Sequence, residues 1–502
     1  AIQANLFLEG TLSKYYEDVP RTAAGIERMS KLFSWPYGFP SHSNPTAPGV
    51  ILEGGELGYA LSTAYGAILD NPHLIVPCLI GDGEAETGPT ATAWHLNKLI
   101  DPGRHGAVLP SLHLNGYKIS GPTFFGRMAD EELMQLFRGY GYEPHIVDAY
   151  VEEDIHGRMM DVVDTCIENI RFTQHCAREM TLQENPRFPM IVLRTPKGWN
   201  SIAELDGKKI EDNHYAHQVI AERAASDHEH LAALESWLRS YRFTELFDGE
   251  RFDADIESLV PAPEHRMGDS RHTMGGEPHY RPLRLPEPRT YACTKTCRAD
   301  GGCGDLSSME TIGAYVRDVI KENIDERNFR LLSPDETYSN KLHAVFEETD
   351  RAFVWPHREW DQDIAWDGRV LEMLSEHSLQ GLMQGYVLTG RHAIFASYEA
   401  FIQIVSSMAD QYAKFLGIAR DVPWRGDVPS LNYILTSSGW RQEHNGFSHQ
   451  NPGFIDGILQ RQGCFVNVYF PADANSSLAV IRRCLASKNE MNVIVVGKRP
   501  MP

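Results

Sequence analysis

Short apolar runs alternate along the chain with stretches in which apolar side chains recur every three or four positions. Residues 74–80 (LIVPCLI) form one such run and lead directly into Gly81-Asp82-Gly83. Residues 107–114 form another, interrupted by Pro110 and ending at Asn115-Gly116, and 145–147 and 190–193 add two more. Helical spacing fills 131–139 and 154–173. Strands apolar on both faces, separated by amphipathic helices, predict a mostly parallel sheet covered on both sides. The pattern changes over 227–289: a polar helical stretch, 228–242, gives way to text rich in Pro, Gly, Arg and His, the composition of a long linker. Alternation resumes near Met309, with strands predicted at 329–332, 433–436, 465–469 and 492–496. The chain therefore reads as α/β, with two domains of parallel sheet flanked by helices, 1–227 and 290–502, joined by a linker over 228–289.

Composition narrows the picture without changing it. The 502 residues are 42% hydrophobic and 23% charged, an ordinary globular balance with ample length for buried cores. A formal charge of −21 disfavours nucleic acid and anionic membrane as partners, while leaving room for a locally basic pocket that takes an anionic substrate. No apolar run is long enough to span a bilayer, and Ala1 opens on AIQANLFLEG, which lacks the basic and apolar regions of a signal peptide. Eight scattered cysteines fit reduced thiols and a cytoplasmic location. Cys293, Cys297 and Cys303 cluster in a Gly-rich stretch without a well-spaced fourth ligand, so a plain loop is favoured there over zinc.

Gly81-Asp82-Gly83 alone is a turn after a strand. Its context says more, because a second strand ends at Asn115 and ligands of α/β sheets sit beyond the carboxyl ends of the strands. Asp82 and Asn115 are placed to approach each other there. A carboxylate, an amide oxygen and a backbone carbonyl are hard oxygen ligands suited to magnesium that also holds a diphosphate. The neighbouring glycines let backbone N–H groups approach phosphate oxygens.

This GDG-then-Asn pairing resembles the thiamine-diphosphate fingerprint, and the flanking text resembles one branch of that superfamily. Residues 53–61 (EGGELGYAL), 81–89 (GDGEAETGP), 112–119 (LHLNGYKI), 334–337 (PDET), 388–392 (LTGRH) and 443–450 (EHNGFSHQ) resemble the phosphoketolases, in the same order. The resemblance implies a diphosphate-binding domain over 1–227 and a pyrimidine-binding domain over 290–502. It also implies that a Gly- and His-rich segment before Ala1 and a third, carboxy-terminal domain are not part of this sequence.

The resemblance carries roles onto particular residues. Gly55, Gly81, Asp82, Gly83, Glu84, Asn115 and Lys197 would hold the cofactor's diphosphate, with Asp82, Asn115 and Tyr117 on Mg2+. Glu376 would be the catalytic glutamate that donates to N1′ of the aminopyrimidine, a role that burial supports by raising a carboxyl pKa. Tyr398 and Phe401 would line the pyrimidine. His42, His217, His444 and His449 would move protons. Gln218, Ser339, Lys341, Gln442 and Asn445 would face the substrate, with Arg420 or Arg425 as a phosphate ligand. Taken one at a time, each of these histidines and carboxylates is more often structural or solvated.

The implied reaction is phosphorolytic cleavage of xylulose 5-phosphate or fructose 6-phosphate to acetyl phosphate plus glyceraldehyde 3-phosphate or erythrose 4-phosphate. The implied assembly is a homodimer with active sites shared between chains. Two residues depart from the family's pattern: Leu52 stands where His is usual, and Ile220 where Pro is usual. A transketolase-type two-carbon transfer and a non-catalytic homologue are the competing readings.

Overall fold

The computed structural model describes residues 2–52, 54–179, 185–274, 279–292, 306–439, 445–461 and 463–501. Gln442 and His444, among the expected site residues, and Cys293, Cys297 and Cys303 lie outside them.

The first predicted sheet is present, with four parallel strands: β1 (Ile75–Gly81), β2 (Ala107–Leu114), β3 (Tyr142–Asp148) and β4 (Phe188–Arg194), ordered β1-β2-β4-β3. Helix α1 (Ala60–Ile68) precedes it, and α2 (Asp130–Tyr140) and α3 (Ile155–Glu179) fill the expected helical stretches. Helix α2 ends at Gly141, whose φ of 99° supplies the left-handed turn into β3.

The second sheet is also parallel throughout. Its strands are β5 (Phe329–Ser333), β6 (Val370–Glu372), β7 (His392–Tyr398), β8 (Leu431–Thr436), β9 (Val466–Tyr469) and β10 (Met491–Val495), ordered β6-β5-β7-β8-β10-β9. Two short strands, Arg351–Ala352 and Ile364–Ala365, extend the β6 edge. Helices α4 (Ser308–Glu322), α5 (Glu376–Leu388), α6 (Ser406–Ala419) and α7 (Ala474–Ala486) accompany the sheet. Strands β6 and β7 were not anticipated: β6 is only three residues long, and His392 and Ser397 leave β7 a short apolar run.

One hydrophobic core runs through both halves, from Leu61, Tyr65 and Ile80 to Leu382, Phe395 and Tyr433. Its centre is the pairing of α1 with α5. The two helices approach through glycine: a Cβ on Gly66 would lie 2.2 Å from the Leu382 carbonyl, and one on Gly385 would lie 2.0 Å from the Thr63 carbonyl. Just beyond α1 the buried Asp70 carboxylate fastens the halves together. It accepts from Arg330 (3.0 and 3.1 Å), Arg369 (2.8 and 2.9 Å), Arg327 (2.8 Å) and the Tyr386 hydroxyl (2.8 Å), all from the second half. The Asp70 N–H donates to His105 Nδ1 (3.0 Å), and its carbonyl accepts from Arg391 (2.7 Å). Burial by itself would raise the Asp70 carboxyl; Arg330 and Arg369 overrule it and hold the group well below the usual carboxylate range. His105, desolvated and facing Arg330, is pushed down to about 3 and stays neutral.

The stretch expected to be a linker opens with a helix, His228–Ser240, as its periodicity predicted, and then folds back instead of spanning open solvent. Phe252 and Met267 join a core with Leu6, Phe7, Val19 and Phe39, and the Glu9 carboxylate accepts from the N–H groups of Met267 and Gly268 (2.8 Å each). Its Pro- and Gly-rich composition goes with irregular backbone docked on that core.

Candidate active site

The first half brings its expected residues together beyond β1, β2 and β4. Strand β1 pairs with β2 so that Gly81 lies beside His113, which carries Asp82 and Asn115 just past the sheet's edge. Asp82, 2% exposed, begins a short helix, Asp82–Ala85, and accepts from Gly83 N–H (3.0 Å), Gly116 N–H (2.7 Å) and Thr123 Oγ1 (2.8 Å). Asn115 Oδ1 accepts from the Tyr117 N–H (3.1 Å), and the Tyr117 carbonyl accepts from Lys197 Nζ (2.8 Å). The Lys197 ammonium is lowered by burial against the counter-pull of Asp82. A Cβ on Gly81 or Gly116 would meet nothing within 4 Å, so the turn faces open space, and Gly116 sits at φ 80°. Carboxylate, amide oxygen and peptide carbonyl at the ends of two neighbouring strands, with a lysine against them, form a donor set that fits a magnesium diphosphate.

Other expected residues take different positions. The Glu84 carboxylate turns away from the turn and accepts from Gly58 N–H (2.9 Å) at the start of α1, and burial raises its pKa. Gly55 lies in the bend before α1. Leu52 packs against the main core and lines a cleft with Leu57, Leu79 and Glu84. His42 is exposed, with Nδ1 2.9 Å from Ser41 Oγ. His217 and Gln218 are exposed at the end of a turn, His214–His217, that the Asp212 N–H to Lys197 carbonyl bond (2.8 Å) ties to the Lys197 loop. Ile220 is half-buried.

The second half gathers its residues where strand order reverses, between β5 and β7, the place at which open α/β sheets leave a ligand crevice. Glu376 is the first residue of α5, whose N-cap Ser375 accepts from the Ser378 N–H (3.4 Å). Tyr398 ends β7, and its ring lies 5.6 Å from Phe401 and 5.2 Å from His449; Phe401 and His449 are 4.9 Å apart. Lys498 Nζ stands 4.3 Å over the Tyr398 ring. Ser339 donates to the Glu336 carbonyl (3.2 Å), and Lys341, at φ 62°, pairs with Glu310 at 3.8 Å. Asn445 leads into the turn Gly446–His449. The Glu399 carboxylate closes that turn's surroundings by accepting from Gly439 and Asn451 N–H groups (3.0 Å each).

Two residues missed in the sequence emerge here. Glu336, inside the PDET motif, is buried, accepts from the Tyr398 N–H (3.1 Å), and is pushed up to about 8 by desolvation with help from Glu376. Lys498 stands over the ring of Tyr398 from the far end of the chain. The two candidate arginines sit in different surroundings. Arg425 spends its fork on the carbonyls of Pro45 (2.6 Å), Val50 (2.7 Å), Thr273 (2.9 Å) and Ala47 (3.2 Å), and burial pushes it down to about 10. It is a structural clamp. Arg420 is exposed, 5.4 Å over the Phe465 ring.

The two clusters are joined through the short helix Gly88–Ala93, whose Thr92 hydroxyl lies 3.2 Å from Ser375 Oγ and 3.4 Å from Ser378 Oγ at the start of α5. No described helix is long and apolar enough to cross a membrane.

Residues 1–278 match the family model described as the XFP N-terminal domain, and 310–487 match that of D-xylulose 5-phosphate/D-fructose 6-phosphate phosphoketolase. A probable phosphoketolase of Gloeobacter violaceus is 50% identical over 498 residues, which are 99% of this chain and 62% of that protein. One from Bradyrhizobium diazoefficiens is 49% identical over 501 residues, again 99% and 62%. The chain thus spans about 62% of the length of these relatives. Among solved structures, a transketolase variant from Pichia stipitis superposes with a TM-score of 0.60 at 16% identity, covering 95% of this chain and 66% of that one. A transketolase from Campylobacter jejuni gives 0.58 at 15%, covering 99% and 71%. At these identities the likeness speaks to the fold.

Proposed function

The chain belongs to the phosphoketolase family, and from that membership we propose that it carries the two cofactor-binding domains of a thiamine-diphosphate-dependent lyase acting on xylulose 5-phosphate or fructose 6-phosphate with inorganic phosphate. The observation that carries the reading is the Asp82–Asn115–Tyr117 oxygen set with Lys197 at the ends of three parallel strands. When bound, thiamine diphosphate supplies a nucleophilic carbon and an electron sink for breaking the bond next to a ketose carbonyl.

The chain's own residues bind, orient and hold protons around that chemistry. Asp82, Asn115 and the Tyr117 carbonyl hold Mg2+, and Lys197 neutralises the diphosphate. Gly81 and Gly83 let the backbone come close. Tyr398 and Phe401 stack on the pyrimidine, and Glu376 holds a proton toward its ring nitrogen. His449, packed against Tyr398 and Phe401, reaches the substrate side, as His42 and His217 do from the first half; Gln218, Ser339, Lys341 and Asn445 contact the sugar phosphate. Two chains pair as a homodimer, each completing the other's site.

The test is acetyl phosphate formation by the protein carrying this chain, from either ketose phosphate and inorganic phosphate, with and without thiamine diphosphate and magnesium. Cofactor-dependent acetyl phosphate supports the reading. Transfer of the two-carbon unit to an aldose phosphate, without acetyl phosphate, would replace it with a transketolase-type activity, and no turnover with either acceptor would leave a non-catalytic homologue.

A further inference from the structure

A hairpin that follows Asn115 closes on the Asp82 carboxylate. We propose that Thr123 is a positioning residue of the metal site: its hydroxyl anchors one oxygen of Asp82 and leaves the other for Mg2+. The proposal rests on the reading of Asp82 as a metal ligand given above.

The chain turns back on itself between Gly116 and Thr123. The Thr123 N–H donates to the Gly116 carbonyl (3.0 Å), the Lys118 N–H donates to the Gly121 carbonyl (2.7 Å), and Tyr117 bridges Pro122 in antiparallel fashion. This fold-back carries Thr123, 41 residues from Asp82 along the chain, to a hydrogen bond with it: Thr123 Oγ1 donates to Asp82 Oδ2 at 2.8 Å. Both residues are buried, at 1% and 2% exposure. A third group fixes the direction of that bond. The Gly126 N–H donates to Thr123 Oγ1 (3.1 Å), so the hydroxyl accepts there and its single hydrogen goes to the carboxylate. The packing admits only glycine at 126, since a Cβ would lie 2.5 Å from Gly116 Cα and 2.8 Å from Thr123 Oγ1.

The two Asp82 oxygens are thereby unequal. Oδ2 accepts twice, from Thr123 and from the Gly116 N–H (2.7 Å), which occupies its two lone pairs. Oδ1 accepts once, from the Gly83 N–H (3.0 Å), and keeps a lone pair. A carboxylate able to rotate would present either oxygen; one anchored at Oδ2 presents Oδ1. Outer hydrogen bonds of this kind orient a metal ligand before the ion arrives, which lowers the cost of binding. The same hairpin is also tied down without involving the carboxylate. Glu86, just past the short helix that Asp82 begins, accepts from the Phe124 N–H and from Lys118 Nζ (3.2 Å). That second tie is the control that separates support of the loop from support of Asp82.

Manganese(II) is the probe, titrated into the protein in the presence of thiamine diphosphate and followed by the electron paramagnetic resonance of the free ion against a protein-free blank. Thr123→Val keeps the shape of the side chain and removes the donor. It is expected to keep the wild-type circular dichroism without cofactor and to bind manganese about 10–100-fold more weakly. Thr123→Ser returns the hydroxyl and is expected to recover most of that affinity. Lys118→Met breaks the ion pair with Glu86, away from Asp82, and is expected to bind as the wild type does. Wild-type affinity in Thr123→Val overturns the proposal, and so does a Thr123→Ser no better than Thr123→Val. An equal loss in Lys118→Met also overturns it, because the hairpin as a whole would then be the support. If Thr123→Val does not fold, Thr123→Cys, close in size and a much weaker donor, takes its place under the same criteria. Asp82→Ala keeps the two readings apart. Affinity retained there refutes Asp82 as a metal ligand, whereas affinity lost there and kept in Thr123→Val refutes Thr123 alone.

Discussion

Asp70→Asn removes the negative charge at the centre of the contact between the two halves and leaves the side chain's shape almost unchanged. Six hydrogen bonds converge on the Asp70 carboxylate, five of them from three arginines. Arg330 and Arg369 are 0% and 2% exposed, so neither can reach water when its partner is lost. Asp367 remains in ionic contact with Arg327 but lies 4.0 Å from Arg330. An asparagine would also turn two N–H donors toward guanidinium donors and the Tyr386 hydroxyl. Breaking a buried pair by removing one partner costs about 3–5 kcal/mol, and the upper end applies where two buried arginines are left without their carboxylate. Against a typical net stability of about 5–15 kcal/mol, this is a third or more.

Urea unfolding followed by tryptophan fluorescence and by circular dichroism is the assay. Because the clasp joins the halves, the two signals of Asp70→Asn are expected to separate as well as shift to lower urea. The acid dependence has a definite sign. A depressed folded pKa contributes stability above the unfolded carboxylate value and loses it only as pH falls through the folded value. The gap between wild type and variant is therefore expected to persist through mildly acidic pH and close only well below the usual aspartate range. A loss under about 1 kcal/mol would refute the reasoning, since it would mean that the arginines relax to water or to other acceptors at little cost.

Gly385→Ala should destabilise by about 1–3 kcal/mol, although alanine is the better helix former, because the new Cβ would sit 2.0 Å from a backbone carbonyl of α1 that cannot rotate away; a raised urea midpoint would contradict the close helix approach. Asp82→Ala should abolish magnesium-dependent thiamine-diphosphate binding in calorimetry, and unchanged affinity would displace the metal assignment. Glu376→Gln should keep its fold and much of its cofactor affinity yet lose turnover, and near-normal activity would show that the catalytic carboxylate lies elsewhere. Asp82→Ala and Glu376→Gln chains, each inactive alone, should recover one working site when mixed; verified heterodimers without activity would place each site within one chain.

The sequence by itself determined what depends on neighbours along the chain. Buried strands such as 190–193 announce themselves by uninterrupted apolar text, because a parallel strand covered on both faces has no solvent face. The approach of Asp82 to Asn115 followed from two strand ends and a rule about where α/β sheets bind ligands. Motifs such as GDGEAETGP and PDET identified the family. Tertiary structure decided what depends on partners distant in sequence. Nothing near Asp70 points to Arg330, 260 residues away, and an isolated aspartate in a DNP turn reads as solvated. Arg420 and Arg425 stood as alternatives in the sequence, and the four carbonyls that surround the Arg425 guanidinium come from segments far from it along the chain. The Pro-rich stretch after residue 242 was legible as a linker, but its docking on Leu6, Phe7, Val19 and Phe39 required the surface that receives it. Glu336 shows the limit most plainly. Its motif was recognised, yet its acidity depends on burial and on Glu376, and both arise only when β5, β7 and α5 come together, because desolvation and Coulomb repulsion act through space and not along the chain.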